Sequence, residues 1–182
     1  MPRPSTALCE SECSAWIASA TARQLQLRPD ELYLDYAAAD DAARLAVTAA
    51  PARDIIALLE NADALGLKPD AITPDACALG AFLQKGDAAP RALACEEAGQ
   101  WLWATRMRWG VHAASGLAGL QALCQQLGLH AGEVAVFGSL PGDAPGFQRI
   151  DPLRFLVYQQ PPLPKEASRY AVALGLAMGD AP

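Results

Sequence analysis

Ala92-Leu93-Ala94-Cys95-Glu96-Glu97-Ala98-Gly99-Gln100-Trp101-Leu102-Trp103-Ala104-Thr105-Arg106-Met107-Arg108-Trp109 carries the most distinctive pattern in the chain. The apolar run 92–95 reads as a strand, Glu96-Glu97-Ala98-Gly99 as a turn, and 100–108 as a second strand. Extended, the second strand sets Trp101, Trp103, Thr105, Met107 and Trp109 on one face and Leu102, Ala104, Arg106 and Arg108 on the other. Burying an indole stabilises by a few kcal/mol, and burying an unpaired guanidinium costs as much or more. Trp101, Trp103 and Trp109 are therefore expected to face inward. A platform for single-stranded nucleic acid wants aromatics and cations on one exposed surface; here they alternate.

Around this pair, helical and extended patterns interleave. On the C-terminal side, residues 115–127 repeat Leu117, Leu120, Cys124 and Leu127 as a helix stripe, with Ser115 as its cap. Val134-Ala135-Val136-Phe137, ended by Gly138, reads as a buried strand. Residues 142–152 read as loop, 154–158 as a strand, 159–165 as a proline-rich crossing, and 170–178 as a last helix with a small face at Ala171 and Gly175. On the N-terminal side, Cys13, Trp16, Ile17 and Ala20 mark a helix over 10–25, broken by Arg28-Pro29-Asp30. Residues 31–36 and 44–49 alternate and form a hairpin. Pro51 opens a helix over 52–65, stopped by Gly66. Residues 71–73 read as a short strand, and Pro74 opens a helix to Leu83. The polar link Lys85-Gly86-Asp87-Ala88-Ala89-Pro90 divides two patterned halves, 1–85 and 86–182. Interleaved strands and helices define the α/β class.

Composition narrows the function. The 182 residues (19.1 kDa) are 52% hydrophobic and 19% charged, so the chain can build a packed core. About a fifth of the residues are alanine, a helix former with little side chain to bury. A net charge of −6 is the wrong sign for a general binder of nucleic acid or anionic membrane. There is neither a spanning apolar run nor the apolar core of a signal peptide, so a cytosolic chain is expected. The five cysteines are scattered and read as reduced thiols. Cys9 and Cys13 lie one helical turn apart, but His112 and His130 have no partner at ligand spacing, so no metal site is expected.

No phosphate-binding Gly-rich loop with Lys-Ser/Thr, no GxGxxG after a strand and no GxSxG elbow occurs. Asp35, Asp40 and Asp41 cluster near a turn, where solvated turn residues are the ordinary reading. No catalytic residue is assigned. Gln160-Pro161-Pro162-Leu163-Pro164 suits a rigid connection better than a polyproline ligand.

Three stretches together carry a resemblance. They are Ala71-Ile72-Thr73-Pro74-Asp75-Ala76-Cys77-Ala78-Leu79; Gln100-Trp101-Leu102-Trp103-Ala104-Thr105-Arg106; and Gln160-Pro161-Pro162-Leu163-Pro164 followed by Ala173-Leu174-Gly175-Leu176-Ala177. In this order they resemble the HofM branch of the PilM type IV pilus assembly family. Leu34-Asp35-Tyr36, then Val47-Thr48-Ala49-Ala50, then a helix and Gly66-Leu67-Lys68-Pro69 resemble the family's hairpin subdomain. The resemblance implies a partial actin-like, ribonuclease H-like ATPase fold. Residues 1–85 would be the remnant of the first half, including the hairpin subdomain, and 86–182 the second half. It implies a DNA-utilisation or competence role, cytoplasmic and peripheral to the inner membrane, binding the cytoplasmic tail of a bitopic partner of the HofN/PilN kind. Relative to the family the chain reads as N-terminally truncated, with residues 1–85 expected to be the less stable half.

Nucleotide-binding relatives open the second half with an Asp-x-Gly turn that cradles phosphates. Here Leu93-Ala94-Cys95-Glu96-Glu97-Ala98-Gly99 lacks it and places two carboxylates where phosphates would lie. Phe137-Gly138-Ser139 resembles the adenosine-side glycine motif, which makes Gly138 and Ser139 the candidate cofactor contacts. The expectation is a pseudo-ATPase assembly protein without cofactor and not an enzyme. The alternatives are an actin-like protein that still binds ATP through degenerate motifs, and a direct single-stranded DNA-binding module using Arg106 and Arg108.

Overall fold

The computed structural model describes residues 1–4, 9–38, 43–85, 90–138, 144–157 and 161–179, apart from the side chains of Ala38, Gln84 and Lys85. It falls into two compact units, Met1–Asp70 and Ala71–Pro182.

In the first unit, α1 (Glu10–Leu25) begins where the Glu12 carboxylate accepts a 2.9 Å hydrogen bond from the Cys9 N–H. Glu10 and Glu12 in its first turn complement the helix dipole. It ends at Gln26 in the left-handed conformation (φ 56°). Strands β1 (Leu32–Ala38) and β2 (Leu45–Pro51) form the expected antiparallel hairpin, with Leu34 opposite Ala49 and Tyr36 opposite Val47. The N-terminus is tied to this hairpin: Leu45 N–H donates to the Met1 carbonyl at 2.8 Å, and the Met1 ammonium donates to the Leu45 carbonyl at 2.7 Å. Helix α2 (Ala52–Ala64) contains no buried residue, although its sequence is apolar at Ile55, Ile56, Leu58 and Leu59. Among the described residues of this unit, Pro4, Ile17, Ala22 and Leu45 are the buried apolar ones.

The second unit is built on a five-stranded mixed sheet, ordered β5-β4-β3-β6-β7. Its strands are β3 (Ala92–Glu97), β4 (Gln100–Thr105), β5 (Trp109–His112), β6 (Val134–Phe137) and β7 (Gln148–Ile150). Strands β3, β4 and β5 form an antiparallel meander, while β6 lies parallel to β3, and β7 parallel to β6. The pleat sorts the side chains into two cores. Ala92, Ala94, Trp101, Trp103, Val134 and Val136 pack with Leu120, Leu123 and Cys124 of α4 (Gly116–Leu127). On the other face, Leu93, Cys95, Leu102, Ala104, Ala135 and Phe137 pack with Leu79, Phe82, Leu83 and Ala171. These last residues come from the 3-10 segment Leu79–Lys85, which continues α3 (Asp75–Ala78), and from α5 (Ala171–Met178).

Several expectations need correction. The first unit ends at Asp70, not at residue 85. Residues 76, 79, 82 and 83 bury their apolar side chains against the sheet and α5, and this ties 71–85 to the second unit. Most of the expected link, 86–89, lies outside the described residues. Residues 71–73 form no strand, and α3 tightens into a 3-10 helix after Ala78. Residues 148–150, read as loop, are β7; residues 152–155 are a 3-10 helix in place of the expected strand, opened by Pro152 with the Asp151 carboxylate accepting from Leu153 N–H at 2.9 Å. Tyr158 lies outside the described residues.

The largest correction concerns 100–109. The chain reverses after Thr105, whose hydroxyl accepts from Arg108 N–H (2.9 Å) and Met107 N–H (3.3 Å), while Thr105 N–H donates to the Arg108 carbonyl (2.7 Å). The reversal shifts the alternation. Trp101 and Trp103 are buried as expected, at 1% and 7% exposure, but Trp109 stands opposite Ala104 on the other face and is 39% exposed.

Candidate functional site

A cleft of about 730 Å³ lies at the carboxyl ends of β3 and β6, within the second unit. This is where open α/β sheets commonly receive ligands. Cys95, Ala98, Trp101, Phe137, Gly138 and Val172 supply its apolar lining, and Glu96, Glu97, Glu166 and Arg169 its charge. Gly138 (φ +106°) could not carry a side chain without strain, and a Cβ there would meet Ser168 at 3.3 Å. The turn closing β3–β4 has both central residues at positive φ, Ala98 (48°) and Gly99 (78°), the geometry of a type I′ turn.

The electrostatics centre on Glu96. Its carboxylate accepts a 2.8 Å hydrogen bond from Gly116 N–H, the first residue of α4. The Trp101 indole N–H donates to the Gly116 carbonyl at 3.0 Å and so fixes the same residue from the sheet side. A helix N-terminus attracts an anion through its unsatisfied N–H groups and its dipole. Here a side chain of the chain itself fills that place. Ser115, expected to cap α4, makes no side-chain cap bond. Glu166 and Arg169 form an ion pair across one turn. The cleft therefore presents three carboxylates against one guanidinium.

The thiol in the cleft is not poised for chemistry. Burial, then the charges of Glu97 and Glu96, push Cys95 up to about 11, and its S–H lies 3.9 Å from the Ser168 carbonyl. Burial also raises Cys77 and Cys124. Among the described residues no three His, Cys, Asp or Glu side chains are grouped to hold a metal ion. His112 meets Gln126 at 3.0 Å, and the His130 N–H is bound to Glu133 at 2.8 Å, so the two histidines serve separate local contacts.

Of the two candidate cofactor contacts, Gly138 lies in the cleft wall, and Ser139 lies outside the described residues. Asp35 accepts from the N–H of Tyr36 at 2.8 Å in the other unit; Asp40 and Asp41 lie outside the described residues. Glu166, Ser168 and Arg169 were not singled out from sequence. They reach the cleft because α5 packs closely on α3, and the only sequence trace of that approach is the small pair Ala171 and Gly175.

The fold and cleft define a mixed α/β protein with the architecture of a known cytoplasmic domain. The chain superposes, at a TM-score of 0.62 and 12% identity, on the cytoplasmic domain of EpsL, an inner membrane component of the type II secretion system of Vibrio cholerae; the match covers 100% of this chain and 69% of that one. In sequence it is HofM-like: it is 39% identical over 180 residues to the DNA utilization protein HofM of Escherichia coli (strain K12). That match covers 99% of this chain, which spans 66% of the length of the curated relative. No family model matches. Among the described residues no helix is long and apolar enough to cross a membrane.

Proposed function

We propose that this chain is a non-enzymatic assembly protein of a type IV pilus-like or DNA-uptake apparatus. Its sheet is a partial actin-like half kept for architecture, and it works in the cytoplasm at the inner membrane by binding the cytoplasmic tail of a membrane-anchored partner. Two likenesses support the setting: a DNA utilization protein in sequence and the cytoplasmic domain of an inner membrane secretion component in fold.

The observation that carries the reading is the Glu96 carboxylate on the N-terminus of α4, at the mouth of the cleft. A nucleotide would have to bring its phosphates beside Glu96 and Glu97, and like charges a few ångströms apart repel. The cleft carries the opposite field from the one a phosphate needs. Calorimetry with Mg-ATP tests this. No affinity tighter than millimolar is expected; a micromolar isotherm refutes the pseudo-ATPase reading in favour of an actin-like ATP binder. Titration of the chain with the tail of a co-encoded single-span membrane protein tests the assembly role. Absence of binding to every such tail overturns it.

A further inference from the structure

Strand β5 is the terminal strand of the sheet, and among the described residues no strand pairs with its outer edge. The hydrogen bond from Thr105 N–H to the Arg108 carbonyl makes 105 and 108 a bonded pair. Stepping by two along the register, Trp103–Gly110 and Trp101–His112 are the bonded pairs of β4 and β5. The N–H and C=O groups of Trp109 and Val111 therefore point away from β4. Their side chains share the face of Ala104 and Leu102 and remain 39% and 50% exposed. Natural edge strands are guarded by brevity, charged side chains, proline, bulges or a covering element. Four-residue β5 is short, but Trp109-Gly110-Val111-His112 holds no lysine, arginine, acidic residue or proline. Gly110 is fixed from the inner face, because a Cβ there would meet the Trp103 ring at 2.9 Å.

Charge selects what this edge would take. The turn that leads into β5 exposes Arg106 and Arg108, with no ion pair to either recorded among the described residues, in a chain of net charge −6. The cations are gathered at one end of an apolar edge. We propose that β5 is a docking edge for an extended acidic segment of a partner protein, added as a sixth strand. Antiparallel addition is the more stable pairing. It brings the C-terminal end of the incoming strand to Arg106 and Arg108, so the segment has alternate apolar residues over Trp109 and Val111 followed by carboxylates. This mode of recognition draws affinity from main-chain bonds and specificity from alternate side chains. It is independent of the cleft and of the nucleotide question.

The test uses a labelled peptide, Thr-Val-Thr-Val-Thr-Asp-Glu-Asp, and its counterpart ending in Lys-Lys-Lys, each titrated against the whole chain by fluorescence anisotropy. The acidic peptide is expected to bind at least about tenfold more tightly, and the preference should vanish in the R106E/R108E variant and shrink with salt. Val111→Pro removes an outward N–H without touching a β4–β5 bond and is expected to abolish binding. Should that variant not fold, amide exchange on the unaltered chain gives the same answer: Trp109 and Val111 exchange fast alone and slow with peptide. No binding at millimolar peptide, equal binding of both peptides, or protection elsewhere overturns the proposal. So does concentration-dependent dimerisation that protects the same two amides, which would assign the edge to a second copy of this chain.

Discussion

Gly175→Ala tests the packing that builds the cleft wall. In the middle of α5, a Cβ at this position would lie 2.3 Å from the Ala78 carbonyl oxygen, 2.8 Å from its carbon and 3.2 Å from Cε2 of Phe82. Ordinary van der Waals contact begins near 3.4 Å, so α5 must retreat by roughly 1 Å from backbone that cannot rotate away. The neighbours Ala171, Leu79 and Phe82 are almost wholly buried, and the retreat opens space along that seam. Helix propensity favours alanine by about 1 kcal/mol, while overpacking against a core costs about 1–3 kcal/mol and more where backbone is the obstacle. The clash wins, and a net loss of about 2 kcal/mol is expected. For a unit of this size that lowers the melting temperature by on the order of 10 °C. Urea denaturation followed by circular dichroism measures it, with Gly80→Ala as the control, since nothing lies within 4 Å of a Cβ there. The control should change stability by less than about 0.5 kcal/mol. If Gly175→Ala is as stable as the control, α5 does not approach Ala78 as described, and the placement of Ser168, Arg169 and Val172 in the cleft falls with it.

Two further outcomes follow from the same unit. Ala98 holds φ +48° in a turn whose first central position favours asparagine, so Ala98→Asn should raise stability by about 0.5–1 kcal/mol in urea denaturation; a loss would contradict the type I′ geometry. With Cys95 at about 11, roughly a thousandth of it is thiolate at pH 8, so in mass-resolved alkylation it should lag far behind exposed Cys9; because its folded value lies above the unfolded one, the stability it contributes is whole below about pH 9 and lost as pH rises toward 11.

Where period and boundary residues agreed, the sequence was readable. Helix α1 over 10–25, the 32–51 hairpin, α4 and β6 all lie where apolar spacing and flanking Gly, Pro or Asp placed them. The failures lie where an unsignalled turn or a tertiary contact decided the outcome. Thr105 turns the chain without glycine, proline or asparagine, by a hydroxyl that gathers two N–H groups, and no period-based reading registers it. One residue of parity then moved Trp109 to the opposite face. Residues 71–85 were assigned to the wrong unit because the linker signal at 85–90 is local, whereas the packing of Phe82 on Phe137 and Phe155, at centroid distances of 4.8 and 5.1 Å, is tertiary. Glu96 was legible as a charge in the wrong place for a phosphate; its bond to Gly116, twenty residues on, was not.

That bond changes how the cleft is to be understood. A mixed sheet that ends two parallel strands beside a helix N-terminus creates a demand for negative charge, because the first N–H groups of α4 have no partner in the helix. A nucleotide-binding protein leaves the demand open and lets phosphate meet it. This chain meets it with a glutamate from the end of β3, and the Trp101 indole holds Gly116 in register for the bond. With the Gly116 N–H met internally, the outstanding charge of the cleft, from Glu97 and from Glu166 balanced by Arg169, is negative. The carboxylate ties β3 to α4 through a bond made within the chain, where a phosphate would do so only while bound; under the function proposed above, that built-in tie is what would suit this unit to hold a partner in place.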